Sequence, residues 1–244
     1  IAPSATLEIS DKARQMQRQG IDVISLSIGE PDFDTPAHIK EACIQALTRG
    51  ETHYAPSNGI PELLSAISRK TEQENKITCT SGQVIVTCGA KNAIYDAMVA
   101  VLNPGDEVII LDPSWVSYEP CVRMAGGKPV HHLLNSKTFQ VDESVLDKIT
   151  GKTRMIVINS PSNPSGAILN RSSLGLIADM CEDYDLFSLS DEIYEKLIYG
   201  REHISLGSIR DMAERTITVN GFSKAYAMTG WRLGWAVAPQ AIIN

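Results

Sequence analysis

The sequence has no apolar run long enough to span a bilayer, no Cys-x-x-Cys pair and no excess of positive charge. The first absence argues against a helical membrane span. The opening stretch IAPSATLEIS also has neither the basic flank nor the apolar block of a secretory leader. With 22 Lys and Arg against 29 Asp and Glu, the net charge of -7 leaves no broad basic face to neutralise a run of phosphates. Nucleic acid is therefore excluded as the main partner, and a small molecule is expected instead.

The five cysteines (Cys43, Cys79, Cys88, Cys121, Cys181) are odd in number and widely scattered, which argues against a zinc site or a redox pair. They are expected to be reduced, mostly buried thiols in a cytoplasmic protein. The sequon Asn170, Arg171, Ser172 reads as a chance match. Phosphate-binding P-loop, HExxH and nucleophile-elbow patterns are missing. Asp32 and Asp34 do not begin a calcium loop, because Ala37 holds the position that needs glycine. No metal is implied.

What is present is a globular composition: 43% of residues are apolar or aromatic and 21% are charged. The 244 residues suit one large domain, or one domain with part of a second. Short β-branched runs at Gln83–Thr87, Glu107–Leu111, Met155–Asn159, Leu186–Ser190, Thr216–Asn220 and Trp235–Ala238 predict strands. Amphipathic stretches at Pro36–Arg49, Pro61–Glu72, Lys91–Leu102 and Ser172–Tyr184 predict helices between them. That order implies an α/β fold, a mainly parallel sheet sandwiched by helices. Residues 1–30 read as an arm preceding the sheet and 31–244 as the large domain. Because the chain stops soon after its last strand, it reads as a fragment truncated at the C-terminus.

Five predicted strands end in polar or glycine residues: Cys88-Gly89-Ala90-Lys91, Asp112-Pro113-Ser114-Trp115, Asn159-Ser160-Pro161, Ser190-Asp191-Glu192 and Asn220-Gly221-Phe222-Ser223-Lys224. Ligands of open α/β sheets sit beyond the carboxyl ends of the strands, so these segments nominate one site. Lys224 follows an apolar strand, where partly dry surroundings favour a neutral, nucleophilic amine. Arg232, among Gly230, Trp231 and Gly234, offers a planar guanidinium that suits a phosphate. Singly, each has an ordinary reading: a solvated lysine, a surface ion pair.

The string GFSKAYAMTGWRLG as a whole resembles the lysine signature of class I aminotransferases, matching at Gly221, Ser223, Lys224, Gly230, Arg232 and Gly234. Other segments are similar to that family in the same order. The resemblance implies the large domain of a fold type I enzyme dependent on pyridoxal 5'-phosphate, with the small domain largely missing. Lys224 would hold the cofactor as a Schiff base. Asp191 in SLSDEIY would keep the pyridine nitrogen protonated and make the ring an electron sink, with Tyr194 on the phenolic oxygen. Asn163 in NSPSNPSG would donate to the same oxygen. The turn TCGAK would cup the phosphate through Gly89 and the backbone of Ala90 and Lys91, since helix N-termini favour anions. Trp115 would stack on the ring, Arg232 would grip the phosphate, and Tyr54 in HYAPSNG would reach the neighbouring subunit's phosphate in a homodimer. Gly29 in SLSIGEP would lie near the substrate carboxylate, beside Trp115 and Asn163. Glu192, one residue after Asp191, should face the other way along a pleated strand.

Gly221 departs from a pattern in which many relatives carry a phosphate-binding serine, leaving Ser223 as the candidate. The arginine that pairs with the substrate carboxylate has no counterpart in this chain. The resemblance implies transfer of an amino group from an amino acid, of aspartate or aromatic type, to a 2-oxo acid. A lyase catalysing β-elimination and a non-catalytic sensor of cofactor or amino acid are the alternatives, because a fold does not fix its chemistry.

Overall fold

The computed structural model describes residues 5–244; residues 1–4 of the predicted arm lie outside the described residues. Seven strands form one sheet: β1 (Val84–Thr87), β2 (Glu107–Asp112), β3 (Lys128–Leu133), β4 (Thr153–Asn159), β5 (Phe187–Asp191), β6 (Thr216–Gly221) and β7 (Gly234–Val237). Their order is β1-β7-β6-β5-β4-β2-β3. Pairings among β3, β2, β4, β5 and β6 are parallel, while β7 runs antiparallel to both β6 and β1. The predicted mainly parallel sheet is thus present, with one reversed strand.

The helices are α1 (Ala5–Arg18), α2 (Ala37–Thr48), α3 (Pro61–Lys70), α4 (Ala90–Val101), α5 (Tyr118–Met124), α6 (Arg171–Asp183) and the short α7 (Gln240–Ile243); α4 and α5 cover one face of the sheet and α6 the other. Strand pleating divides the core by residue parity. Val108, Ile110, Met155, Val157 and Leu189 pack with Ala93, Ile94, Met98 and Val122 of α4 and α5. Ile109, Leu111, Ile156 and Ile158 pack with Leu174, Ile177 and Met180 of α6. Both faces are dry, as a central parallel sheet requires. The sequon residue Asn170 has a structural task, capping α6 by accepting the Ser173 N–H at 2.8 Å.

Three elements depart from the sequence reading. The arm is helical over Ala5–Arg18. β3 and α5 have no counterpart among the predicted strands and helices. The cysteines are free, but only Cys121 and Cys181 are buried; Cys43 and Cys79 are half-buried and Cys88 is exposed. None of the described helices is long and apolar enough to cross a membrane.

The connections position the site. From β2 the chain goes outward to the edge strand β3, then returns to place β4 on the other side of β2. This reversal of strand order opens a crevice at the carboxyl ends of β2 and β4. The loops carrying Trp115 and Asn163 leave from there.

Candidate active site

Asp191 is the last paired residue of β5, in register with Asn159 of β4 and Val219 of β6. Its side chain takes the α4/α5 face, two residues beyond Leu189, and is almost fully buried. There the hydroxyl of buried Tyr118 donates to Oδ2 at 2.7 Å, and the Ile193 N–H donates to Oδ1 at 3.2 Å. Burial outweighs these bonds and pushes the carboxyl up to about 6.

Asn159 fastens two strand ends at once. Its Nδ2 donates to the Asp191 carbonyl at 2.9 Å, and its Oδ1 accepts the Asn163 N–H at 2.6 Å. Held in that turn, Asn163 Nδ2 lies 3.2 Å from the hydroxyl of Tyr194. Burial raises the Tyr194 phenol, with the Asn163 bond acting against it and the Asp191 charge adding to it.

Lys224 follows β6, and its Nζ lies 5.8 Å from the centre of the Tyr194 ring. It also donates to the carbonyl of Gly29. Burial lowers the Lys224 ammonium; Glu30 opposes that shift and the Arg232 guanidinium reinforces it. The Gly29 segment is latched to the lysine loop by further bonds: Thr229 donates to Glu30, and Thr35 Oγ1 accepts the Trp231 indole N–H at 3.0 Å. Residues 30–35 and the loop residues Ala227 and Thr229–Trp231 line a cleft of about 530 Å³ between the two segments.

Arg232 sits in the left-handed region at φ 55° and lies over Gly89, where φ is 83°. A Cβ on Gly89 would come within 2.4 Å of the guanidinium Nη2 and displace it, and the positive φ itself favours glycine. Gly89 opens α4, whose first N–H groups, Ala90 and Lys91, have no acceptor within the helix. Lys91 Nζ lies 4.8 Å from the centre of the Trp115 ring, and Trp115 meets Tyr118 edge-on at 5.4 Å. Gly221 faces Gly234 across β6 and β7, and a Cβ on it would be only 3.1 Å from the Gly234 Cα and the Leu233 carbonyl. A bulkier residue at position 221 would crowd this closure.

These contacts fit the cofactor the sequence implied: a buried carboxyl for a cationic ring nitrogen, free N–H donors with a guanidinium for a phosphate, and a softened amine for an aldehyde carbon. Gly29, Gly89, Ala90, Lys91, Trp115, Asn163, Asp191, Tyr194, Lys224 and Arg232 are linked by the contacts above. Ser223 lies beside Lys224 in the same loop, and its carbonyl accepts the Met228 N–H at 3.2 Å. Tyr54 stands apart, fully exposed. Tyr118 is not among the sequence candidates, although it lies three residues after Trp115 and its N–H donates to the Trp115 carbonyl at 3.1 Å; Asn159, nominated as a strand end, has no role of its own among them.

The sequence model of the family described as aminotransferase class I and II matches residues 21–244. This chain belongs to that family. Its members are pyridoxal-phosphate-dependent transaminases. Aspartate/prephenate aminotransferase of Thermus thermophilus is 47% identical over 244 residues, which cover 99% of this chain and 63% of that protein. Aspartate aminotransferase of Pyrococcus abyssi is also 47% identical, with 63% of it covered. Among solved structures, the Thermus thermophilus aspartate aminotransferase with maleate superposes with a TM-score of 0.97 at 46% identity, covering all of this chain and 64% of that one. The aromatic aminotransferase of Pyrococcus horikoshii gives 0.89 at 47% identity, covering 96% and 63%. The fold is the large domain of fold type I enzymes, and the chain spans under two thirds of the length of these relatives.

Proposed function

We propose that the intact protein is an aminotransferase that moves an amino group from an amino acid of aspartate or aromatic type to a 2-oxo acid. The observation that carries this reading is the placement of half-buried Lys224 against Tyr194, with Asn163 on the Tyr194 hydroxyl and buried Asp191 in the same site. The relatives named for aspartate, prephenate and aromatic substrates support the substrate class.

When bound, pyridoxal phosphate supplies a sink for the electron pair left at the substrate's α-carbon. Lys224 Nζ would hold the cofactor covalently and, once displaced by the substrate's amine, would carry the proton between that α-carbon and the cofactor's C4′. Burial favours the neutral amine this needs. Asp191 holds a proton on the ring nitrogen, while Tyr194 and Asn163 hold the phenolic oxygen. Trp115 packs on the ring. Arg232, Ser223 and the N–H groups of Ala90 and Lys91 hold the phosphate, with Gly89 giving it access. Gly29, Trp115 and Asn163 border the substrate.

We assign residues 1–30 to an arm of the small domain and 31–244 to the large domain, in a cytoplasmic homodimer. Exposed Tyr54 and the exposed apolar side chains Ile24, Leu26 and Phe33 support a partner surface. Sedimentation would return a monomer if that reading is wrong.

Borohydride reduction of the cofactor-loaded protein tests the central assignment. The label should map to Lys224 and vanish in Lys224→Ala. Equal fixation in that variant would overturn it. A panel of amino donors and oxo-acid acceptors then separates transfer from elimination, which releases ammonia without an acceptor.

A further inference from the structure

Behind Asp191, on the opposite side of the strand, lies a charged cluster that the reaction does not use. Glu192 is fully buried and accepts four hydrogen bonds: from Ser205 Oγ (2.7 Å) and Ser190 Oγ (2.9 Å) on Oε1, and from His203 Nε2 (3.0 Å) and Asn75 Nδ2 (3.1 Å) on Oε2. The same Asn75 amide reaches Glu195 Oε2 at 2.7 Å. Lys70 donates to Asn75 Oδ1 at 2.7 Å and also to Glu195. Asn75 ends a π-helical turn, Thr71–Asn75, that extends α3 and carries its side chain to the sheet. Such turns interrupt helices at a cost and recur where a side chain must be aimed.

Glu192, Glu195 and His203 place their ligand atoms within 4.8 Å of one another, a spacing that suits a metal ion. The cation in this cluster is already the Lys70 ammonium, bonded to Glu195, so a metal reading is not needed. A buried ion network contributes little to net stability; fixing one arrangement among several is its better-attested use.

The alternation along the chain shows what is being fixed. Asp191 and Tyr194 face the active site, whereas Glu192 and Glu195 face the cluster. The Glu195 N–H closes a turn on the Glu192 carbonyl at 2.9 Å, with Tyr194 inside it. We propose that Glu192, Glu195, Asn75 and His203 are positioning residues that clamp residues 191–195 from behind and so set where Asp191 and Tyr194 meet the cofactor. The proposal rests on the aminotransferase reading for its purpose, but the clamp itself is a property of the chain.

Asn75→Ala, which changes no charge, and His203→Ala each remove one clamp from the intact protein. His203→Gln restores an N–H where Nε2 stood. Three readouts decide: the Kd for pyridoxal phosphate, the pH midpoint of the lysine-bound chromophore, and the 13C titration of the Asp191 carboxyl in unloaded protein. Both alanine variants should weaken cofactor binding about tenfold, the size seen when residues that orient a binding group are lost. They should also shift both titrations, and His203→Gln should return them toward wild type. A fall in Tm with all three readouts unchanged would sink the proposal. If Asn75→Ala does not fold, Asn75→Ser gives the same comparison. A wild type that binds no cofactor would overturn the aminotransferase reading alone, since the Asp191 titration needs none.

Discussion

Asp191 and Glu192 are adjacent, buried carboxyl groups whose affinities for a proton are pushed in opposite directions. Burial dominates at Asp191 and raises it to about 6. Burial is the largest single influence on Glu192 too, but His203, Ser205 and Ser190 together outweigh it and hold that carboxyl below its ordinary value. The difference lies in the donors: the pleat turns one side chain toward two hydrogen-bond donors in a site built for a ligand, and the other toward four.

Asp191 therefore costs the unloaded fold stability. Between its unfolded value of about 3.9 and its folded value near 6, the native state binds more protons, so stability falls as pH rises through that window. Asp191→Asn should raise the stability of unloaded protein at pH 8 by roughly 1–2 kcal/mol, while weakening cofactor binding. Urea unfolding at pH 4 and pH 8 checks the first effect: the gain should shrink toward zero at the acid end.

Glu192 works with the opposite sign. Its folded value is depressed, so its contribution is present above the ordinary carboxylate range near 4.3 and is lost as pH falls through the lower folded value. Thermal unfolding from pH 6 to pH 3 should show this loss in wild type. Glu192→Gln should be less stable at pH 6 and lose less on acidification.

Tyr118→Phe removes one of the two donors on the Asp191 carboxylate. The Asp191 midpoint should move above 6, and the acid limb of cofactor binding should shift to higher pH with it. Stability at pH 8 should drop by about 1–3 kcal/mol, the cost of an unsatisfied buried acceptor. An unchanged pH profile would mean that the hydroxyl does not govern Asp191.

Gly89→Ala and Gly234→Ala separate binding from folding. At Gly89 the new methyl meets the Arg232 guanidinium, a movable side chain, so phosphate affinity should suffer more than stability. At Gly234 it would come within 2.3 Å of the Ala90 backbone nitrogen. That variant should lose about 2–3 kcal/mol or fail to fold. Cofactor titration beside thermal melting distinguishes the two.

Much of this was legible because strand ends advertise themselves. An apolar β-branched run stopping at Asp191, Asn159 or Gly221 marks both the strand and its catalytic edge, and the family order of the motifs ties those edges together. What escaped lacked such contrast. β3 carries Pro129, His131 and His132 along a half-exposed edge, where pairing on one side tolerates proline. α1 buries little among its described side chains beyond Ser10 and Ala13, so its apolar stripe is faint. α5 is seven residues long with Pro120 inside it. Tyr118, and the role of Asn159 beyond marking a strand end, run through partners 73 and 32 positions away, and local pattern holds no trace of such pairings.

The facing glycines at the ends of β6 and β7 have one more consequence. Everything from Phe222 to Leu233 is a closed loop pinned where Gly221 meets Gly234, and it carries both Lys224 and Arg232. One end of a ligand bonded to the lysine and the other gripped by the arginine would be measured by a single piece of chain. In that event the loop would serve as a ruler, its length part of the recognition.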